Sequence, residues 1–275
     1  MVFFSANFGL PVNALGRSRG LVVAPGSARE CARQPNRIFE TLSERLAAVS
    51  PSLKTRIKST PVLGGVAVRV AKSARFARFP GSASYWDKRY AAGGDSGEGS
   101  YGAWADYKAK VLNVFVAENN VESVIEWGCG DGNQLTLARY PKYLGLDVSG
   151  SAVDRCVATF AEDRSKSFYA YHNDRFVDNA RVFRADLALS LDVVYHLVED
   201  DIFEAYMRRL FTSARRFVVV YSTNDERKQE GPHVTHRQFT DWVLLNVPDW
   251  ELAEHRERPG KTDPTEADFF FFRRR

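Results

Sequence analysis

The sequence predicts an α/β fold, a three-layer sandwich in which helices cover both faces of a mostly parallel sheet. Short apolar runs typical of buried strands, such as residues 186–191 and 217–221, alternate with segments whose apolar residues recur at helical spacing. That alternation is the pattern of parallel strands joined by crossover helices. The chain has 275 residues, of which 44% are hydrophobic and 26% charged, so it can bury a full core.

The first 80 residues differ in charge from the rest of the chain. They contain 13 Lys and Arg against 3 Glu and no Asp, a net charge of +10, whereas the remaining 195 residues carry −6. We therefore expect residues 1–80 to be a basic N-terminal extension, partly disordered with one or two helices, and residues 81–275 to be the folded domain. A helix is predicted at residues 38–49. For the basic run at residues 62–79 we expect either a solvated helix packed on the folded domain or a weak peripheral membrane contact. An organellar targeting role is a further alternative for the Arg-rich start of the chain.

The elements of the folded domain follow from apolar periodicity and capping residues. We expect helices at residues 108–116, 135–139, 149–160, 199–214 and 236–245. We expect strands at residues 121–127, 143–147, 186–191, 217–221, 250–255 and 268–272, with one more within residues 167–185. Ser149 is the expected N-cap of its helix.

Cysteine content and hydropathy exclude several classes of protein. The three cysteines, Cys31, Cys129 and Cys156, are odd in number and widely spaced, without a C-x-x-C pair, which argues against a disulfide framework and a zinc site. No run of 18 or more apolar residues is present, so we expect no transmembrane helix. These features favour a reducing, cytoplasmic setting.

A glycine-rich turn at residues 124–134 carries the strongest functional signal. An apolar strand runs into glycines at positions 128, 130 and 132, where the backbone turns sharply and lets a ligand approach. A dinucleotide site has its third glycine five residues after the first, whereas here it follows by four, and Glu126 lies two residues before the first glycine. A carboxylate at that place stabilises a cationic ligand and repels a pyrophosphate. The turn therefore predicts a positively charged ligand.

A second carboxylate, Asp147, follows the next predicted strand. It can accept hydrogen bonds from both hydroxyls of a ribose, as nucleotide and S-adenosylmethionine sites require. Together, Glu126-x-Gly128-x-Gly130-x-Gly132 and Asp147 resemble the first two cofactor motifs of class I S-adenosylmethionine-dependent methyltransferases. The resemblance extends from residue 85 to the C-terminus.

Residues 186–207 are similar to the same family's fourth strand, the loop after it and the following helix. The resemblance implies a Rossmann-like, seven-stranded sheet whose last strand is antiparallel, and methyltransferase activity with S-adenosylmethionine bound at the carboxyl ends of the strands. The cofactor residues that it implies are Glu126, Gly128, Cys129, Gly130, Gly132, Asp147, Val148, Ser190 and Leu191.

Roles carry over to some of these positions. Glu126 and the first two glycines would contact the methionine part of the cofactor, Asp147 the ribose, and the backbone of Ser190 or Leu191 would lie near the transferred methyl group. Cys129 is expected to be a small neutral filler, because no adjacent histidine activates it. The family's adenine-contacting acidic residue has no clear match, and Asp174 and Asp178 are open alternatives.

Candidates for catalysis follow the strand at residues 186–191. His196 is the first candidate for a general base and Asp192 accompanies it, since both lie near the edge of the sheet where the methyl group is expected. The alternative is that His196 packs below the cofactor or caps the next helix.

Aromatic and histidine side chains elsewhere are candidates for a lid or an acceptor pocket. Tyr85, Trp86 and Tyr101 adjoin a flexible glycine run and could close over the cofactor, or form an ordinary packed helix and loop. His233 and His236 follow the strand at residues 217–221 and could line the acceptor pocket. Because no Cys or carboxylate ligand adjoins these two histidines, we expect no metal.

The acceptor is predicted to be a small molecule, such as a sugar or metabolite hydroxyl. The loop after residue 191 lacks the Asn/Asp-Pro-Pro-aromatic run typical of enzymes that methylate exocyclic base amines, and the folded domain is acidic, so no nucleic acid is expected. Two alternatives stay open: a non-catalytic methyltransferase-like domain that binds or scaffolds a partner, and an NAD-dependent oxidoreductase. The glycine spacing and Glu126 oppose the second alternative.

Overall fold

A seven-stranded sheet forms the centre of the computed structural model, which describes residues 79–226, 231–262 and 266–275. The predicted helix at residues 38–49 and nearly all of the basic run at residues 62–79 lie outside the described residues. The strands are β1 (Val124–Trp127), β2 (Tyr143–Asp147), β3 (Lys166–Ala170), β4 (Ala185–Leu191), β5 (Ala214–Ser222), β6 (Trp250–Arg256) and β7 (Asp268–Arg274). The helices are α1 (Ser82–Ala91), α2 (Gly102–Glu118), α3 (Gly150–Thr159), α4 (Asp200–Ser213) and α5 (Phe239–Asn246).

The strands are ordered β3-β2-β1-β4-β5-β7-β6 across the sheet. Strands β1 to β5 pair in parallel, whereas β7 is antiparallel to both β5 and β6. This confirms the predicted mostly parallel sheet with an antiparallel last strand. The order reverses between β1 and β4, and a reversal of this kind opens a crevice at the carboxyl ends of the two strands.

Two apolar clusters, one on each face of the sheet, form the core. Neighbouring residues of one strand point to opposite faces, so Val218 and Val220 pack with α4 and α5 in one cluster, whereas Val219 and Tyr221 pack with α2 and α3 in the other. The central strands are apolar on both sides for this reason. The consecutive aromatics of β7 divide in the same way, so they are core residues of both clusters.

Most predicted elements are present, with their ends moved by a few residues. The prediction of a helix at residues 135–139 is wrong. Only a short 3-10 turn forms, at Gln134–Leu137, and Ala138 is already extended. The side chain of Asn113 explains the early end, because it donates to the Leu137 carbonyl (3.0 Å) and accepts from the Arg139 amide (2.7 Å). These bonds hold the chain away from a helical path.

Helix α3 begins as the sequence predicts. The hydroxyl of Ser149 accepts a hydrogen bond from the Ala152 amide at 3.3 Å, which makes Ser149 the N-cap. None of the helices in the described ranges has both the length and the apolar character needed to cross a bilayer.

Candidate functional site

A cavity of about 800 Å³ lies at the carboxyl ends of β1, β2 and β4, where the strand order reverses. Ten of the residues predicted from the sequence line it: Trp86, Glu126, Gly128, Cys129, Gly130, Asp147, Val148, Leu191, Asp192 and His196.

The glycine turn shapes one wall of the cavity. Gly128, Gly130 and Gly132 all have positive φ, at 83°, 58° and 80°, which a side chain disfavours. A Cβ on Gly128 would lie 2.6 Å from a methyl group of Val193, and a Cβ on Gly130 would collide with the Ser96 hydroxyl. Gly132 faces Cys156 instead and does not line the cavity, so it serves the packing of α3.

Glu126 lies in β1 with its carboxyl group buried beside the turn. Burial raises the pKa of Glu126 to about 7, while a hydrogen bond from the Tyr143 hydroxyl (2.6 Å) and the positive charge of Lys108 act in the opposite direction. The nearby carboxylates Asp147 and Asp192 raise the pKa further. A cation at this place in the cavity would stabilise the ionised form of Glu126.

Asp147, the last residue of β2, holds the glycine turn in place. Its two carboxyl oxygens accept from the backbone amides of Gly130 and Ser149, each at 2.9 Å. Burial raises the pKa of Asp147 to about 6 against the effect of these hydrogen bonds. A carboxyl oxygen has more than one lone pair, so Asp147 can accept further hydrogen bonds from a ligand in the cavity.

Asp192 follows β4 in a left-handed conformation, with φ at 59°. One of its oxygens forms an ion pair with Lys108 of α2, whose side chain is fully buried, and the other accepts from the Tyr195 hydroxyl at 2.9 Å. Asp192 lines the cavity, but both of its oxygens are bound to protein donors. This arrangement suits a residue that positions the loop after β4 better than it suits a proton acceptor.

His196 lies in the short turn Val194–His196 and also lines the cavity. Its Nδ1 is 3.0 Å from the carbonyl oxygen of His233. A carbonyl can only accept, so Nδ1 carries the proton and Nε2 is left unprotonated. Burial lowers the pKa of His196 to about 4. The side chain is therefore neutral at pH 7.

The predicted lid residues divide into two groups. Trp86 lines the cavity and meets His196 edge to face, with 4.8 Å between ring centres. The others do not line the cavity: Tyr85 stacks on His233 at 4.8 Å, the Tyr101 hydroxyl bonds to Asp131 at 2.8 Å, and His236 bonds to the Thr223 hydroxyl at 2.8 Å. Ser190 is fully buried and shares a 2.7 Å hydrogen bond with Tyr206.

Helix α1 is both a packed helix and a wall of the cavity, so it combines the two alternatives that the sequence leaves open. Its first turn is held by Ser82, whose hydroxyl donates to Glu199 at 2.6 Å. Its last turn is held by Arg155 of α3, which donates to the Tyr90 carbonyl at 2.7 Å. These two contacts tie α1 to elements on both sides of the cavity.

The segment after α1 covers the glycine turn. The amide of Ser96 donates to the Asp131 carboxylate (3.0 Å) and the Ser96 hydroxyl accepts from the Asp131 amide (3.1 Å). Asn133 donates to the Ser100 carbonyl at 2.7 Å. Both Ser96 and Ser100 line the cavity. The sequence did not predict these contacts. A polar residue within the glycine turn, Asp131, was the one sign in the sequence that the turn binds another segment.

The structure excludes both open candidates for the adenine contact from the cavity lining. The side chain of Asp174 is 77% exposed, and Asp178 accepts from the amides of Val182 and Phe183 within its own loop. Tyr171 and Asn173 line the cavity in their place. The loop after β3 therefore reaches the cavity with an aromatic ring and an amide, and not with an acidic side chain.

No protein-family model matches the sequence, and no curated protein matches it in sequence. The structure is similar to the N-methyltransferase NodS from Bradyrhizobium japonicum WM9 in complex with S-adenosyl-L-homocysteine, with a TM-score of 0.58 at 16% identity over 70% of this chain and 98% of NodS. It is similar to magnesium protoporphyrin IX methyltransferase (ChlM) from Synechocystis PCC 6803 with bound SAM, with a TM-score of 0.52 at 14% identity over 72% of this chain and 99% of ChlM.

The methyltransferase domain of bacterial CtHen1 is a third similar structure, with a TM-score of 0.50 at 20% identity over 61% of this chain and 97% of that domain. In each comparison the likeness covers nearly the whole of the other protein. Together with the strand order and the antiparallel β7, these matches confirm the predicted fold. The described part of the chain has the fold of the class I S-adenosylmethionine-dependent methyltransferases.

Proposed function

We propose that the protein is an S-adenosylmethionine-dependent methyltransferase that acts on a small-molecule acceptor. One observation carries the proposal: two buried carboxyl groups, Glu126 and Asp147, line the same cavity on either side of a glycine turn. Buried carboxylates are costly without compensating charge or donors. A ligand with both cationic groups and ribose hydroxyls supplies the two kinds of compensation at once.

The residues present fit this cofactor. Gly128 and Gly130 leave a cradle that a Cβ would fill, Glu126 can accept from an ammonium group, and Asp147 can accept from ribose hydroxyls. The Asn173 side-chain oxygen already accepts from Arg209 at 3.1 Å, and its NH₂ group can donate to an adenine ring. When bound, S-adenosylmethionine supplies an electrophilic methyl group.

His196 and Trp86 are the residues that we assign to the acceptor. The unprotonated Nε2 of His196 can accept a hydrogen bond from an acceptor hydroxyl and orient it, and the neutral side chain persists at physiological pH because the pKa is about 4. A pKa this low makes His196 a weak base. We therefore assign His196 mainly an orienting role, with receipt of the acceptor's proton as the secondary role.

The binding of cofactor is tested by thermal unfolding of the full chain with S-adenosylhomocysteine, S-adenosylmethionine and NAD in parallel. We expect a rise of several degrees in Tm with the first two at concentrations well above Kd, and no rise with NAD. Stabilisation by NAD alone would favour the oxidoreductase alternative, and no response to any ligand would favour the non-catalytic one. Transfer of labelled methyl to a panel of hydroxyl and amine acceptors then tests activity.

Cofactor affinity should depend on pH. A cationic ligand favours ionised Glu126, and hydroxyl donors favour ionised Asp147, so binding is strongest above both pKa values and weakens as pH falls through about 7 and then about 6. We expect the Kd for S-adenosylhomocysteine, measured by calorimetry, to rise on the order of tenfold between pH 8 and pH 5.5. In Glu126→Gln the upper step should disappear and the lower one remain. A Kd that does not change over this range would contradict the assigned roles.

A further inference from the structure

A second cavity, of about 1330 Å³, lies at the opposite edge of the sheet from the first. It is lined by the loop that precedes β4, the end of α4, the connection between α5 and β6, and Arg274 of β7. Ala185 of β4 pairs with Ala214 of β5 at this edge, so the cavity lies at the amino ends of the parallel strands. Trp127, the last residue of β1, also lines the cavity and directly precedes the glycine turn.

Arginine side chains surround this cavity. Arg181, Arg184 and Arg274 line it, and Arg215 is close enough to act on Arg184. Burial together with the like charges of these neighbours lowers the pKa of Arg184, and the negative charge of Asp178 acts in the opposite direction. Only Arg215 and Arg274 have acidic partners among the described residues, Asp186 at 3.9 Å and an exposed Asp249 at 3.8 Å. Pairs at these distances are weak.

The other two arginines are incompletely satisfied. Within the described ranges, the guanidinium of Arg184 makes one long hydrogen bond, 3.4 Å to the Ala214 carbonyl, and its buried Nε has no partner. Arg181 forms no ion pair with any described residue. The carboxylate of Asp178, which also lines the cavity, is already bound by the amides of Val182 and Phe183. Four arginines and two aspartates line the cavity, so its lining carries an excess of positive charge.

We propose that this second cavity binds a small phosphorylated ligand through Arg181, Arg184 and Arg274. A phosphoryl group offers several acceptor oxygens and more than one negative charge, which matches a cluster of planar guanidinium groups better than a monovalent carboxylate does. Binding would relieve the repulsion among the arginines and supply the partner that Arg184 lacks. No residue lines both cavities, although Arg209 of the second donates hydrogen bonds to Asn173 of the first.

Calorimetric titration of the full chain with inorganic pyrophosphate at physiological salt tests the site. We expect saturable binding that Arg184→Gln and Arg181→Gln each weaken by at least about tenfold, since each removes a charge-assisted hydrogen bond. Arg164→Gln is the matched control, because Arg164 is exposed beside β3 on the far side of the sheet, and it should change the Kd by less than twofold. Saturating S-adenosylhomocysteine should leave the pyrophosphate Kd unchanged.

Three results would overturn the proposal. One is the absence of saturable pyrophosphate binding to the unaltered chain, and another is an unchanged Kd in both arginine variants. The third is competition by S-adenosylhomocysteine, which would place the anion at the glycine turn. If a single-stranded oligonucleotide bound in an Arg184-dependent manner while pyrophosphate did not, the ligand would be a nucleic acid and the small-ligand proposal would be wrong. Arg181 is exposed, so its variant keeps the test valid even if Arg184→Gln unfolds.

Discussion

Replacing Lys108 with methionine should lower the free energy of unfolding by about 3 kcal/mol, because it leaves the Asp192 carboxylate without its cation. The Lys108 side chain is fully buried and the Asp192 side chain is 13% exposed, so water can replace the lost partner only in part. The Nζ of Lys108 also lies 5.3 Å from the centre of the Tyr221 ring. Urea denaturation monitored by circular dichroism measures the loss.

The matched control is Lys110→Met in the same helix, where the lysine is exposed and the change should cost less than about 0.5 kcal/mol. Adding Asp192→Asn to Lys108→Met should recover most of the stability, since the buried charge is gone. Asparagine suits this position, because it tolerates the left-handed conformation and its oxygen can still accept from Tyr195. Equal losses for Lys108→Met and Lys110→Met would show that the ion pair does not stabilise the fold.

Lys108 also illustrates a feature that the sequence alone could predict only in part. Its neighbours at helical spacing, Ala105, Val111 and Leu112, are buried, so a lysine on this apolar stripe was a visible irregularity. Its partner Asp192 lies 84 residues further along the chain, and periodicity does not say which distant charge meets a buried lysine. Local patterns predict the strands, most helices and the glycine turn because each depends on residues close in sequence.

The features that the sequence did not predict depend on contacts between distant segments. The Ser96–Asp131 pair joins the segment after α1 to the glycine turn, and Asn113 ends the turn at Gln134–Leu137 from a separate helix. The sequence also does not show that the loop after β3 lines the cavity with Asn173, while Asp174 and Asp178 lie outside the lining. In the first two cases a long-range hydrogen bond, which leaves no periodic trace in the sequence, decided the local conformation.

Asp147→Ala should abolish measurable binding of S-adenosylhomocysteine, with a rise in Kd of about a hundredfold or more. Hydrogen bonds to a charged group contribute about 1.5–3 kcal/mol each, and two ribose hydroxyls would lose their acceptor. The substitution also leaves the amides of Gly130 and Ser149 without their carboxylate, so the glycine turn loses the contact that fixes it. Calorimetry measures the affinity, and urea denaturation shows whether the variant is folded.

Two further variants separate the contributions at Asp147. Asp147→Asn keeps one oxygen that can accept from a loop amide but removes the charge, so we expect its Kd to lie between those of the unaltered chain and Asp147→Ala. Asp154→Ala, at an exposed acid on α3, should leave the Kd unchanged. Wild-type affinity in a folded Asp147→Ala variant would place the ribose elsewhere and remove the main support for the proposed cofactor site. An effect equal in Asp147→Asn and Asp147→Ala would instead mean that charge, and not the anchoring of the turn, dominates binding.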